Sequence, residues 1–572
     1  MIPYLCKHPG HRVSVVVLSL LAMLLLPCLS AVAAEPLVKG MADDEVIRLG
    51  EQMYREGLLP SGEPIMSYVA NDVPVDGTSF TCISCHLRSG MGSIEGEVIT
   101  PPTNGNTLYI ARKPFIEGAE FVPYIHNYAV YIPERPAYTD ETLATLIATG
   151  IDPTGRSVLA AMPRYDIADR NMEIMIAYLK TLSDAPAPGV TEDHIKFATV
   201  IVEGTDPVKV ESMLIPIQFS IDRKNSLAEA SKRNDRVARM AYNMLGTLHA
   251  VTFSLEKWML SGPPETWRAQ LEEYYAKDPV YALLGGISET TWEPVHRFCE
   301  DHQIPNLFPI VDEPIISDND WYTQYLSRGL RQEGEAAARY LNSMAELIKD
   351  RKILQIIRDT RRGRAMAEGF RDVWKEAGHA LPTEIVLAEG QELNGLQLQR
   401  VIAEHKPEVM MYWDDEDTIP SLAGLMGLKA APGIVIASGT WLGDSLWTIP
   451  EELRKRLYLT YPYRLPQEEV RFDLQAKKVL SGKRVDKYDS VVLRKSFITQ
   501  EVLGMALMEM RQEYYRDFLL DTIGMFQDLY LPLYERISFG PGQRYASKGC
   551  YIVQLSTGDK PQLEKRSEWL IH

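Results

Sequence analysis

The chain has 572 residues, more than one ordinary domain holds, so two or three domains are expected. A hydrophobic content of 45% permits a large buried core, and a net charge of −17 repels a phosphate backbone, which excludes nucleic acid as a partner class. The acidic residues are dispersed and read as a solvated surface rather than an acidic tail.

Lys7 and Arg12 precede an uncharged run from Val13 to Leu26, and "SAVAAEP" follows. This is the pattern of a secretory signal peptide over residues 1–34, cleaved near Ala33 or Ala34. The run is shorter than the ~20 residues that span a bilayer. The expected location is therefore the periplasm, and four cysteines remain after cleavage: Cys82, Cys85, Cys299 and Cys550. Cys299 and Cys550 either pair or remain buried thiols, the buried, unpaired state being favoured.

"CISCH", residues 82–86, is the attachment pattern of a c-type haem. Two thiols three residues apart reach two vinyl groups on one porphyrin edge, and the next side chain, His86, then lies beneath the ring as an iron ligand. A structural zinc site needs a second ligand pair, and none has the right spacing. The nearest rival is "HRFCEDH", with His296, Cys299 and His302 at helical spacing. An electron-transfer haem takes a second axial ligand, and the candidate is Met162, held in a stiff turn before Pro163. Rival ligands are Met91, His126, Met172 and Met175; the last two read as helix core.

Residues 42–184 resemble a class I cytochrome c domain. The resemblance is carried by "DEVIRLGEQMYREGLLPSGEP", "CISCH" and "PAYTDETLATLIATGIDPTGRSVLAAMPRYDIADRNMEIMIAYLKTL". It implies an all-α fold and one covalent haem c on Cys82 and Cys85, with His86 and Met162 as axial ligands. It also implies a close crossing of Gly50 and Tyr54 with Tyr178, and a carbonyl of Pro101 or Pro102 accepting from the haem histidine. Such a domain passes single electrons to or from a redox partner protein.

"SDAPAPGVTEDH" marks a linker over residues 185–194. Beyond it "FATVIVEG" and "VYALLGGIS" read as strands, and a helix is expected from about Trp321 to Lys349. Strands and helices then alternate: "KILQII", "GRAMAEGFRDVWKEAG", "EIVLA", "LQLQRVIAEHKP", "VMMYW", "SLAGLMGLKA" and "GIVIAS". That order predicts a mostly parallel sheet with ligands at the carboxyl ends of its strands.

The layout of residues 195–560 resembles a type I periplasmic binding protein of the branched-chain amino-acid receptor group. The resemblance implies two α/β lobes closing on a small-molecule solute, with Ser288, Thr290 and Thr291 as the first-lobe ligand loop. Second-lobe contacts are expected in "RDTRRGR" and "YWDDEDT", where Arg361 or Arg362 suits an anion and Asp414 or Asp415 a cation or metal. The whole chain thus reads as a multidomain protein, an all-α cytochrome c domain followed by a two-lobed α/β domain. The leading function is an exported electron carrier with a solute-binding module; the alternative is an ABC-transporter-type solute receptor with a structural or regulatory haem, working with a membrane permease. Enzyme activity is the least supported class, since no catalytic constellation can be assembled from spacing.

Overall fold

The computed structural model describes residues 36–70, 72–95, 98–112, 134–245, 250–348, 351–414, 418–469, 487–510, 512–540 and 542–571. The expected signal peptide, His126 and Asp415 lie outside them. The described chain forms two compact units: residues up to Thr81 with Thr139–Thr181, and Cys82–Tyr138 with Leu182 onward. The chain passes for the last time from the first unit to the second between Thr181 and Leu182. In the expected linker, Ala187 is buried in the core beside Ile195 and Tyr281, and Gly189 abuts Val280 and Tyr281.

In the first unit, the helix Asp43–Glu56 opens with Asp43, Asp44 and Glu45, whose charges suit the positive end of the helix dipole. It buries Val46, Leu49, Gly50, Met53 and Tyr54 against the helix Asp169–Thr181. A side chain at Gly50 would collide with Tyr178, and the Tyr54 and Tyr178 rings stand 5.6 Å apart, so the expected close crossing is present. A third helix, Asp140–Thr149, is capped by Thr139 and Thr142 bonding reciprocally.

The expectation of an all-α domain is corrected here. Strands β1 (Met66–Val69) and β2 (Val73–Asp76) pair antiparallel as a hairpin, and β5 (Arg164–Asp166) pairs with β1. Val73 and Val75 alternate with Asp72, Pro74 and Asp76, the period of a pleated ribbon rather than of a helix.

The second unit holds the "CISCH" stretch, the antiparallel strands β3 (Ser93–Glu95) and β4 (Val98–Thr100), and two α/β lobes. The first lobe's sheet is β6 (His194–Val202), β7 (Thr252–Leu260), β8 (Ala282–Leu284), β9 (Asn306–Leu307) and β10 (Thr323–Gln324), all parallel in the order β10-β9-β8-β6-β7. The second lobe's sheet runs β12 (Thr383–Leu387), β11 (Ile353–Arg358), β13 (Val409–Trp413), β14 (Ile434–Ser438), β15 (Leu457–Tyr461), β16 (Gly549–Leu555), β17 (Leu563–Lys565). It is parallel from β12 to β15 and antiparallel beyond. The alternation read from "KILQII" to "GIVIAS" is this parallel part. The helices Ser490–Glu509 and Arg516–Gly524 return to the first lobe, where Val502, Leu507, Leu519 and Leu520 share a core with Phe197 and Tyr281.

The long helix expected from Trp321 is also corrected. It begins at Leu330, because the preceding backbone is taken up in β10 and held by Glu300, whose carboxylate accepts from Trp321, Tyr322 and Thr323 N–H at 2.7, 2.9 and 2.9 Å. From there the chain crosses to the second lobe, beside the returning segment: Tyr325 N–H donates to Arg544 O at 2.8 Å, and Ser547 N–H donates to Leu326 O at 2.8 Å.

Candidate functional site

The attachment stretch folds as a single helical turn, Ile83–His86, with Cys82 at its start. Cys82 is half-buried and Cys85 exposed, and both are thiols. Burial, with the charge of Glu95 nearby, pushes the Cys85 thiol pKa up. The His86 Nδ1 lies 2.9 Å from the Pro101 carbonyl oxygen. A carbonyl only accepts, so Nδ1 carries the proton and the lone pair sits on Nε2. The loop around this bond is built to hold it. Gly92 donates to His86 O at 3.1 Å, and a side chain at Gly92 would strike the backbone of Thr100 and Pro101. Ser93 Oγ donates to Cys85 O at 3.0 Å, and Thr103 N–H to Gly90 O at 2.7 Å. Two thiols on one helical turn, beside an imidazole whose Nε2 is oriented by a carbonyl, form a donor set that fits a c-type haem. Met162 belongs to the other unit, half-buried in a turn closed by its N–H on Leu159 O at 3.0 Å, with Arg164 donating to its carbonyl.

The rival metal motif is spent otherwise. His296 is buried between Tyr325 OH at 3.0 Å and Asp320 at 2.9 Å, while His302 meets Glu272 at 2.9 Å. Cys299 and Cys550 are buried thiols, as expected. Among the described residues no group of three or more His, Cys, Asp or Glu could hold a metal ion.

The solute residues expected from sequence are only partly assembled. Ser288 follows β8 and is buried, with its hydroxyl 3.2 Å from Thr290 Oγ1, bonded to Thr291 O at 3.0 Å and accepting from Thr290 N–H at 3.1 Å. The three hydroxyl residues thus build their own turn. Asp414, at the end of β13, is 1% exposed and takes Arg358 Nε and Nη2 at 3.0 and 2.8 Å, with Tyr412 OH at 3.2 Å. It forms an internal ion pair rather than a cation site. Arg358 is fixed further by the carbonyls of Ala388 and Gln391 at 2.8 and 2.5 Å.

Arg362, with Arg361 beside it, reaches the opposite lobe. It stands in the first turn of the helix Arg361–Glu376, with Thr360 as N-cap, and pairs with Asp312 at 2.9 Å; Arg361 pairs with Glu313 at 3.2 Å. Asp312 and Glu313 lie beyond β9 at the carboxyl edge of the first lobe's sheet. Beside these bridges is a cavity of about 380 Å³ lined in part by Asp312, Glu313, Arg328, Arg331, Ala365 and Glu368. The Arg362 guanidinium carbon also lies 5.9 Å from the Trp441 ring centre. Near it Glu333, 1% exposed, accepts from Ser438 Oγ at 2.8 Å and Thr460 Oγ1 at 2.5 Å. Burial pushes its carboxyl up to about 7 against the pull of these hydroxyls. Sequence reasoning missed Asp312, Glu313, Arg328, Arg331 and Glu333. Asp312 and Glu313 follow β9, which was the available signal for them; Arg328, Arg331 and Glu333 fell inside the helix expected from Trp321.

No family model matches the chain, and no curated protein matches it. Solved structures do. A putative branched-chain amino acid ABC transporter from Rhodospirillum rubrum matches with 15% identity and a TM-score of 0.50, over 65% of this chain and 100% of that one. An ABC transporter substrate-binding protein from Sphaerobacter thermophilus matches with 16% identity and a TM-score of 0.50, over 66% of this chain and 98% of that one. At such identities the likeness is one of fold: this chain shares with these proteins a two-lobed α/β architecture. No helix among the described residues is long and apolar enough to cross a membrane.

Proposed function

We propose that the chain is an exported small-solute receptor carrying one covalently bound haem c. The observation that carries the receptor reading is the pair of ion pairs, Asp312–Arg362 and Glu313–Arg361, joining two lobes beside a cavity of about 380 Å³. Hinged closure of two lobes on a solute is how such a cleft works. Carboxylates and guanidiniums line the cavity together, so the solute is polar and carries charge. A membrane permease is the partner that such a receptor delivers to, and the periplasm is its compartment.

The haem rests on its own observation, the 2.9 Å contact from His86 Nδ1 to Pro101 O. Cys82 and Cys85 would hold the group by thioethers, His86 would bind iron through Nε2, and Met162 would supply the second ligand. A haem with histidine and methionine ligands supplies one-electron transfer. This observation also favours a second reading, in which the chain is chiefly an electron carrier for a redox partner protein and the solute modulates it.

The test is the full chain matured in a host that attaches c-type haem. The reading expects a covalent haem mass lost in Cys82→Ala/Cys85→Ala, and a sulfur-to-iron absorption band lost in Met162→Ala. It also expects at least one of a panel of amino acids, dicarboxylates and aromatic carboxylates to raise the melting temperature. A solute at a hundred times its Kd stabilises by about 2.7 kcal/mol. A colourless protein of unmodified mass overturns the haem, and a silent panel overturns the receptor.

A further inference from the structure

The loop after His86 is anchored to a side chain far along the sequence. Ser89 N–H donates to Asp521 Oδ2 at 2.7 Å, and Arg88 N–H donates to Asp521 Oδ1 at 3.4 Å. Asp521 is 5% exposed and lies on the helix Arg516–Gly524 of the first lobe. One helical turn earlier Asp517 faces the same loop, 3.6 Å from Arg88 Nε. The Arg88 guanidinium carbon lies 4.8 Å from the Trp321 ring centre and 5.5 Å from that of Tyr322. The same Trp321 ring has the Arg544 guanidinium carbon at 4.1 Å, and Arg544 Nη1 donates to Trp321 O at 3.0 Å. Trp321 precedes β10 and Arg544 precedes the return crossing, so this cluster sits where the chain passes between the lobes.

A buried carboxylate is costly unless its oxygens are engaged, and here the partners are two consecutive backbone N–H groups. Burial pushes Asp521 up to about 7, while these N–H groups pull it down. Retaining such a group at this place needs a return, and its partners lie two and three residues beyond the haem histidine. The connecting residue Leu87 has a positive φ of 63°, which a leucine adopts only when its surroundings impose it.

We propose that Asp521 is a positioning residue for His86, through which the first solute lobe sets the orientation of the haem-binding imidazole. This rests on the haem reading above. Asp521 holds Arg88 and Ser89, Leu87 is forced into its positive φ, and the His86 ring is left facing the Pro101 carbonyl. The carboxylate thereby joins the haem loop to the Trp321–Arg544 cluster at the lobe crossing.

The experiment uses the full, haem-loaded chain with Asp521→Asn and Asp521→Ala. The readouts are midpoint potential by spectroelectrochemistry and the axial-ligand absorption band. Hydrogen exchange at the Ser89 amide is measured as well in protein expressed without haem maturation. Asn is isosteric and keeps one acceptor oxygen, so it tests the idea even where Ala fails to fold. The expected result is about a tenfold change in the oxidised-to-reduced ratio at fixed applied potential, about 59 mV for one electron. Faster Ser89 exchange should accompany it, with Asn lying between wild type and Ala. Unchanged potential and band in variants that carry haem overturn the inference alone, even if their melting temperature falls. Wild-type protein without attached haem overturns the reading and the inference together.

Discussion

Glu333 makes the second lobe's stability depend on pH in a direction opposite to that of an ordinary surface carboxylate. It is 1% exposed, and burial raises its pKa from 4.5 to about 7. Between those values the folded protein binds a proton that the unfolded chain has released, so stability falls as pH rises. The stabilisation is fully present below about 4.5 and fully lost above about 7. The gap corresponds to about 3 kcal/mol, at 1.36 kcal/mol per pKa unit. Asp312 adds to the upward pressure on Glu333, whereas Ser438, Thr440 and Thr460 oppose it. Glu333→Gln removes the titration while keeping a carbonyl oxygen for the hydroxyls, which can rotate to accept from the new amide. The assay is urea unfolding of wild type and variant at pH 5 and pH 8, following the second lobe's own transition because a protein of several domains need not unfold in one step. The difference between variant and wild type should shift by about 3 kcal/mol in the variant's favour on going from pH 5 to pH 8. Parallel pH profiles for the two proteins would refute the buried, half-neutral carboxyl.

Two further perturbations test the packing around the sites. Arg358→Met leaves Asp414 buried without its guanidinium partner, and should cost about 3–5 kcal/mol, read as a lower unfolding midpoint in urea; Arg358→Met with Asp414→Leu should recover much of that loss. Gly50→Val places a branched side chain where Tyr178 already stands, and should cost about 1–3 kcal/mol in the transition of the first unit, read by calorimetry.

Local chemistry was legible in the sequence, and long-range pairing was not. The CxxCH stretch folds as one helical turn, and Pro101, fifteen residues on, supplies the carbonyl for His86 as expected. The alternation from Ile353 to Ser438 was legible because its strands are mainly apolar and helix caps such as Thr360 and Asn394 separate them from the helices. The helix expected at Trp321 failed because that segment carries apolar residues at helical spacing, yet Glu300 holds its backbone extended from twenty-one residues away. Asp414 looked like an exposed acidic loop because its neighbours in sequence are acidic; its partner Arg358 lies on the adjacent strand, and sequence order gives no measure of that neighbourhood. Asp521 carried no sequence signal at all, since it and Ser89 are 432 residues apart.

The charges of the second lobe separate into two kinds by burial, and the separation bears on how a cleft can work. Arg358–Asp414 has both side chains at most 3% exposed, so breaking it leaves a stranded charge and the pair defines one fold. Arg362–Asp312 and Arg361–Glu313 have side chains between 25% and 58% exposed, where solvent screens attraction and each pair contributes about 0–1 kcal/mol. Together they hold the lobes by no more than about 2 kcal/mol. A solute at a hundred times its Kd contributes about 2.7 kcal/mol to whichever form binds it. The bridges are therefore strong enough to bias closure and too weak to fix it, and a charged solute that competes for Arg362 removes part of even that bias. Under the receptor reading proposed above, occupancy of the cleft would outweigh the protein's own ion pairs in holding the lobes together.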